Sequence, residues 1–419
     1  MPTQVKDQLW RLVKSLNKAE KRNFKLYATR AGSTKESKFI QLFDLLDRLD
    51  GPDDKVVMDR LSLTNGQYSN LKRHLNQQLL TSLRLIYIKK EIDIELREQI
   101  DFSRILYGKG HYLDALRTLE RAKARAVEHN QDLLHLEILE FQKLIEARHI
   151  TLSRQVDNKM DLLLDESARR SHTVLNTSEL FNLNIQIHGH YIEKGHGRTE
   201  KERQQNKVFW EEIQTRRLDR DAVAGTFHQK INRFQSSMWF YYIQLDYDGA
   251  LESAHNAKGL YETNRHMIVK DPDLYLRCLY YVNVFAYLTN RAAMTGDHAR
   301  LLADFLDNPD ILLNENSRNI GAIYRHLARY NHLFLTDQRQ EALQLAQHLA
   351  ALQTEKTFQP NEHRWGLFLY KAAAAYFLNG RYDEALDQLN EIINMKGGIL
   401  REDLLINTRL LHALCNYEL

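Results

Sequence analysis

Cysteine, proline and glycine are all scarce in this chain, with two, five and 17 residues among 419, and each shortage excludes something. Cys278 and Cys415 sit in apolar helical stretches and share no metal-ligand spacing, so a disulfide framework is excluded and both read as buried thiols. The prolines stand where helices start or stop, at Pro2, Pro52, Pro272, Pro309 and Pro360, and so punctuate helices rather than kink them. Leu, Ala, Glu, Lys, Arg and Gln dominate what remains, a choice that favours helix nearly everywhere and argues against sheet. Long apolar runs are missing too. No stretch approaches 18 uncharged apolar residues, and MPTQVKDQLWRLVKSLNKAEKR has no apolar region of a secretory leader, so a soluble, cytoplasmic protein with no membrane span is expected. A net charge of only +3 does not by itself imply nucleic acid, although residues 1–30 carry eight Lys or Arg against Asp7 and Glu20.

Chemistry-bearing motifs are equally absent. There is no GxxxxGK[ST] phosphate loop, no GxGxxG opening a helix after a strand, no GxSxG elbow and no HExxH. The densest histidine stretch, IHGHY, puts His188 and His190 about 200° apart on a helix, so the two cannot face one metal. His196 and the pair Glu146 and His149 add no ligand spacing. No catalytic residue, metal ligand or cofactor is predicted, and the chain reads as a non-enzyme.

What is present is repetition. At 419 residues the chain exceeds the size at which one core usually stops growing, and an elongated array fits better than two globular domains. From residue 96 onward helix follows helix, and a short string recurs at alternate breaks: GHYLDAL from Gly110, LDYDGAL from Leu245, DQRQEAL from Asp337 and GRYDEAL from Gly380, with weaker forms GHGRTEK from Gly195 and GDHARLL from Gly296. Such a string suits a helical hairpin. A small or polar residue closes one helix, an aromatic fills the turn, and an acid near the next N-terminus suits its dipole. An alanine then admits close approach. Ala115, Ala250, Ala342 and Ala385, with Glu200 and Leu301 at the equivalent place, predict about seven hairpins between residues 96 and 395 once a degenerate unit near residue 155 is allowed. A final helix from Arg401 to Tyr417 would cap them.

On these residues the chain resembles the tetratricopeptide repeat family, best at FLNGRYDEALDQLNEI and YIQLDYDGALESAHNA. Two departures are visible. The proline that closes the second helix is missing, and the period runs roughly ten residues over the family's ~34, similar to the long-hairpin repeat domains of bacterial peptide-sensing regulators. The resemblance implies an all-α fold, a right-handed α-solenoid over residues 96–419, with a concave face lined by the first helix of each hairpin. Matching hairpins to the family pattern places Asn232, Gln235, Trp239, Tyr242, Asn283, Asn290, Tyr324, Asn331 and Tyr370 on that face. Amides can donate to and accept from a peptide backbone at once, and aromatics supply apolar area, so the implied partner is an extended segment of a protein or peptide. An alternative use of the same residues is to cap turns and fill gaps between long helices. Lys is missing one turn before the asparagines, at Ala286 and Leu327, which disfavours the family's clamp for a C-terminal carboxylate.

Residues 1–95 lack the repeat and are expected to form a small helical domain. Asn17 and Glu20 read as a capping box, RAGSTKES as a loop, and KFIQLFDLLDRL as an amphipathic helix. Within residues 54–90, Met58, Leu61, Leu63, Tyr68 and Leu71 are spaced like the core of a helix-turn-helix, which would put Gln67, Ser69, Asn70, Lys72 and Arg73 on or near a recognition helix. A DNA-binding regulator is therefore the alternative function.

Overall fold

A computed structural model describes residues 8–30, 37–149, 159–217, 225–311, 313–355, 358, 360–395 and 402–419. All regular structure among them is α-helical. The loop RAGSTKES and the degenerate unit near residue 155 lie mostly or wholly outside the described residues. By internal packing the chain divides into two compact units, Met1–Arg170 and Ser171–Leu419.

The first unit opens with α1 (Gln8–Ser15), α2 (Lys18–Arg30), α3 (Lys38–Arg48), α4 (Asp54–Leu61) and α5 (Asn65–Tyr87). Their starts follow the sequence. Asn17 and Glu20 exchange side-chain bonds with each other's backbone N–H at 3.0 and 2.9 Å, Asp53 caps α4, and Thr64 with Gln67 forms a full capping box on α5. These helices share one apolar cluster, which includes Val13, Phe24, Leu42, Phe43, Val57, Leu75 and Leu79. Next come α6 (Ile92–Gly108), α7 (Tyr112–Glu128) and α8 (Asp132–Arg148), which bury a separate cluster around Leu96, Ala115, Leu119 and Ile138. The residue 95/96 boundary read from the sequence falls within α6, whereas the two compact units divide after Arg170. The 36-residue α9 (Lys159–Lys194) carries the chain from one unit into the other.

The second unit continues with α10 (Glu200–Arg217), α11 (Phe227–Ile243), α12 (Tyr247–Thr263), the short α13 (Arg265–Lys270), α14 (Pro272–Leu288), α15 (Ala292–Asp307), α16 (Glu315–Leu335), α17 (Arg339–Thr354), α18 (Glu362–Leu378), α19 (Tyr382–Ile393) and α20 (Glu402–Glu418). Consecutive long helices pack as pairs, α11 with α12, α14 with α15, α16 with α17 and α18 with α19, and α14 also packs on α16. The last helix covers α18 and α19 and brings Leu411 and Cys415 onto Leu389 and Ile392. Cys278 is buried as well, and burial pushes its thiol up to about 12.

One turn recurs in both units. Gly110, Asn130, Leu245, Asn290, Asp337 and Gly380 all adopt a left-handed conformation, with φ between 52° and 84°. In each case the next residue's N–H bonds the carbonyl five positions back, as His111 does to Leu106 and Arg381 to Tyr376. That pairing satisfies carbonyls left open at the helix end. Five residues beyond the left-handed position stands a fully buried side chain: Ala115, His135, Ala250, Thr295, Ala342 and Ala385.

The structure corrects both weaker strings and finds one turn that the repeat strings missed. In GHGRTEK, Glu200 opens α10 but is exposed rather than close-packed. GDHARLL does not open a helix: Gly296 lies inside α15, and the turn is at Asn290, so Thr295 rather than Leu301 occupies the close-packing place. Leu301 is 41% exposed. The missed turn, at Asn130, puts His135 where an alanine was sought.

Candidate functional site

The first helices of the second-unit pairs carry a continuous band of aromatic rings. His188 of α9 stacks on Trp239 of α11 with centroids 4.2 Å apart, and Trp239 meets Tyr281 of α14 edge-on at 5.5 Å. Tyr281 adjoins Tyr280, whose ring lies 4.5 Å from Tyr324 of α16 and nearly parallel to it, and Arg364 of α18 sits over Tyr324 at 5.7 Å. Trp239 and Tyr324 are themselves buried, whereas Tyr280, Tyr281 and Tyr242 are half-buried and Arg277 is exposed at the band's edge. Against burial, the neighbouring Tyr324 and Tyr281 hold the Arg277 guanidinium above its ordinary range. Burial, together with the Arg277 charge, holds His188 below the ordinary imidazole range. Further along, Lys371 lies 5.5 Å from the centroids of both Tyr287 and Phe334, and Tyr370 is close enough to Tyr287 that burial and this neighbour push its hydroxyl up. Flat apolar faces edged by cations suit a peptide that presents apolar and acidic side chains.

The amides expected to grip a peptide have other partners. Asn283 is fully buried; its Nδ2 donates to the Thr295 and Ala328 carbonyls at 2.8 and 3.4 Å, and its Oδ1 accepts from Asn331 Nδ2 at 2.9 Å. Asn331 Oδ1 in turn accepts from Lys371 Nζ at 2.8 Å, so one ladder ties α14, α15, α16 and α18 together. Asn184 donates to Gln235 at 2.8 Å and to Asn232 at 3.4 Å, and Asn232 donates to the His228 carbonyl at 2.8 Å. Asn232, Gln235, Asn283 and Asn331 thus fill polar positions between helices, and Asn290 is an exposed turn residue. Of the nine expected residues, the structure brings Trp239, Tyr242, Tyr324 and Tyr370 to the aromatic band or its margin. It adds Tyr280, Tyr281, Tyr287, Arg277, Arg364 and Lys371, which the sequence reading passed over; the Tyr280–Tyr281 doublet, two and three positions before Asn283, was the available signal.

The histidines considered for metal have other roles. His190 bonds Asn206 Oδ1 at 2.7 Å and stacks on Phe209, and His196 Nδ1 lies 3.0 Å from the Tyr242 carbonyl.

At the other end of the chain, α3 packs on both α4 and α5, and a three-residue turn with Ser62 left-handed joins the latter two. Asn70 and Arg73 are exposed there, with Arg73 donating to Asn70 at 3.2 Å. Gln67 and Lys72 are engaged elsewhere. Gln67 completes the α5 capping box, and Lys72 pairs with Asp54 at 3.2 Å above the Tyr68 ring. Burial and the Asp54 hydrogen bond push the Tyr68 hydroxyl up. The basic first helices are partly neutralised by α3, through Lys21 with Asp47 and Lys25 with Asp44 at 2.6 and 2.7 Å.

Among the described residues, no helix is long and apolar enough to cross a membrane. No family model, curated protein or solved structure matches the chain.

Proposed function

We propose that the chain is a non-catalytic helical-repeat protein, a right-handed α-solenoid of about seven tetratricopeptide-like hairpins behind a small helical N-terminal domain, that holds an extended segment of a partner protein. The observation that carries this reading is the aromatic band, which runs from His188 to Arg364 across the first helices of successive pairs. Repeat arrays present such helices side by side, so a ligand lying across them meets a similar surface at every step. Six turns of one geometry support the repeat. The test is an array of tiled cellular peptides probed with the purified chain. Tyr280→Ala and Arg364→Ala should each weaken the best binder by roughly tenfold or more while the melting temperature barely moves. Retained affinity in both variants would remove the band from the proposal, and an array with no saturable binder would remove the peptide-binding function itself.

A second reading, DNA binding by α3–α5, has its own support. α3 packs on both α4 and α5, a three-residue turn joins the latter two, and α5 has no acidic residue along its 23 positions, which supports a helix-turn-helix reading. Arg73→Ala should then lower duplex affinity and flatten its salt dependence. If the full chain shows no salt-dependent duplex binding at about 0.05 M salt, this reading fails.

A further inference from the structure

On a different part of the second unit, α15, α16 and α17 enclose a recess of about 460 Å³ lined by Leu306, Asp307, Arg318, Ala322, Arg325, His326, Arg329 and His348. Three arginines and two histidines face a single acid, Asp307. Arg325 meets that acid bidentately at 2.8 and 2.9 Å, so its charge is answered. Among the described residues Arg318 and Arg329 form no ion pair, and both are exposed. Arg318, Ala322, Arg325 and Arg329 fall on one stripe of α16 because their spacings of four, three and four residues repeat the helical turn. The stripe spans about 16 Å at 1.5 Å per residue. Burial, then the neighbouring Arg325, hold the half-buried His326 down to about 4.

We infer that this recess is a second ligand site, one that takes an acidic peptide segment. Guanidinium groups bind carboxylates through paired N–H donors, and an unanswered pair of them in a recess favours oxyanions over neutral groups. Arg318 and Arg329 stand apart by about the length of five residues of extended chain at ~3.3 Å each, so two acids separated by four or five residues would reach both. Asp307 keeps Arg325 from closing on the same ligand and leaves the flanking arginines to bind. The site shares no residue with the aromatic band and stands or falls without it.

The experiment uses the purified full chain and a fluorescein-labelled ten-residue peptide of alternating Glu and Ser, followed by anisotropy. Saturable binding is expected at about 0.05 M salt, weakened severalfold or more at about 0.5 M. The double change Arg318→Gln with Arg329→Gln should weaken it by roughly tenfold or more. Ala322→Trp, which fills the recess and leaves every charge in place, should do the same, and it serves as the second variant should the double change unfold. Arg300→Gln, whose side chain pairs with Asp297 outside the recess, and Tyr280→Ala should leave binding unchanged. No binding of the peptide overturns the inference, as does equal binding by the recess variants. Binding of inorganic phosphate or of a thymidine oligonucleotide in place of the peptide overturns it too.

Discussion

In the second unit, the fully buried side-chain bonds that tie helices together run between amides, with the Lys371 ammonium at the end of one ladder. Asn283 and Asn331 bridge three helix pairs, and Asn184 joins Asn232 and Gln235. In the first unit, ions do the same work. His135 is 1% exposed and bonds Glu166 at 2.8 Å, Lys123 meets Glu166 at 3.1 Å and Glu120 at 3.0 Å, Arg170 pairs with Asp132, and Lys159 reaches the buried Glu146 at 3.2 Å. Both arrangements pin one helix to another through groups that tolerate little misalignment. They differ in what disturbs them. Amides do not titrate and pay little to leave water, while buried ions respond to pH and lose much when one partner goes.

The largest expected effect breaks the amide ladder. Asn283→Leu keeps the branched shape but leaves the Asn331 amide and two carbonyls short of a partner in a buried site, at about 2 to 3 kcal/mol. Urea unfolding measures the loss, and hydrogen exchange should place it in α14 and α16. A change under about 0.5 kcal/mol would show that water replaces the amide and that the ladder is not structural.

Next is Glu166→Gln, which removes the charge facing Lys123 and His135 and should destabilise by about 1 to 2 kcal/mol at neutral pH. Both Lys123, whose ammonium Glu120 and Glu166 hold above the ordinary range against burial, and His135 should register the change by NMR. An unmoved His135 signal would contradict the contact.

The comparison sharpens with pH. Burial, then Arg170, holds His135 below its ordinary value of 6.5, with Glu166 opposing. Because protonation is disfavoured in the folded state, stability from the neutral imidazole is present above 6.5 and is withdrawn as pH falls from there through the lower folded value. Exchange protection of α8 should therefore fall on acidification, and His135→Gln should flatten that fall. The penalty of Asn283→Leu should stay constant between about pH 5 and 8, since its amides do not titrate. A pH-dependent penalty would show that a titrating group takes part in the ladder.

Smallest are the turns. Leu245 sits at φ 63° without glycine's freedom, so Leu245→Gly should stabilise by up to about 1 kcal/mol, and Gly380→Ala at φ 70° should destabilise by a similar amount. Opposite signs in thermal melts would confirm that backbone conformation governs these positions.

Much of the fold was legible because turn and close-packing residues are local signals. GRYDEAL, DQRQEAL, LDYDGAL and GHYLDAL each mark a turn the structure contains. The reading failed where the left-handed residue was Asn and the small residue was Thr or His, at Asn290 with Thr295 and Asn130 with His135: the backbone geometry is the same but the letters differ. The candidate site was harder to read. Asn on a first helix occupies the same stripe whether it faces a ligand or a neighbouring helix, and Asn283 finds Asn331 48 residues away, a distance no local pattern encodes. The aromatic band has the same character, since Tyr280 and Tyr324 become neighbours only once α14 lies on α16.

The ladder also acts as a vernier. Leucine-lined helices can slide past each other by a whole turn, about 5.4 Å, and find nearly equivalent packing. Asn331 cannot do so without loss, because its bond to Asn283 is 2.9 Å long and a slip of a whole turn would break it. A few buried amides thereby select one sliding position out of several that apolar contacts alone would leave almost degenerate.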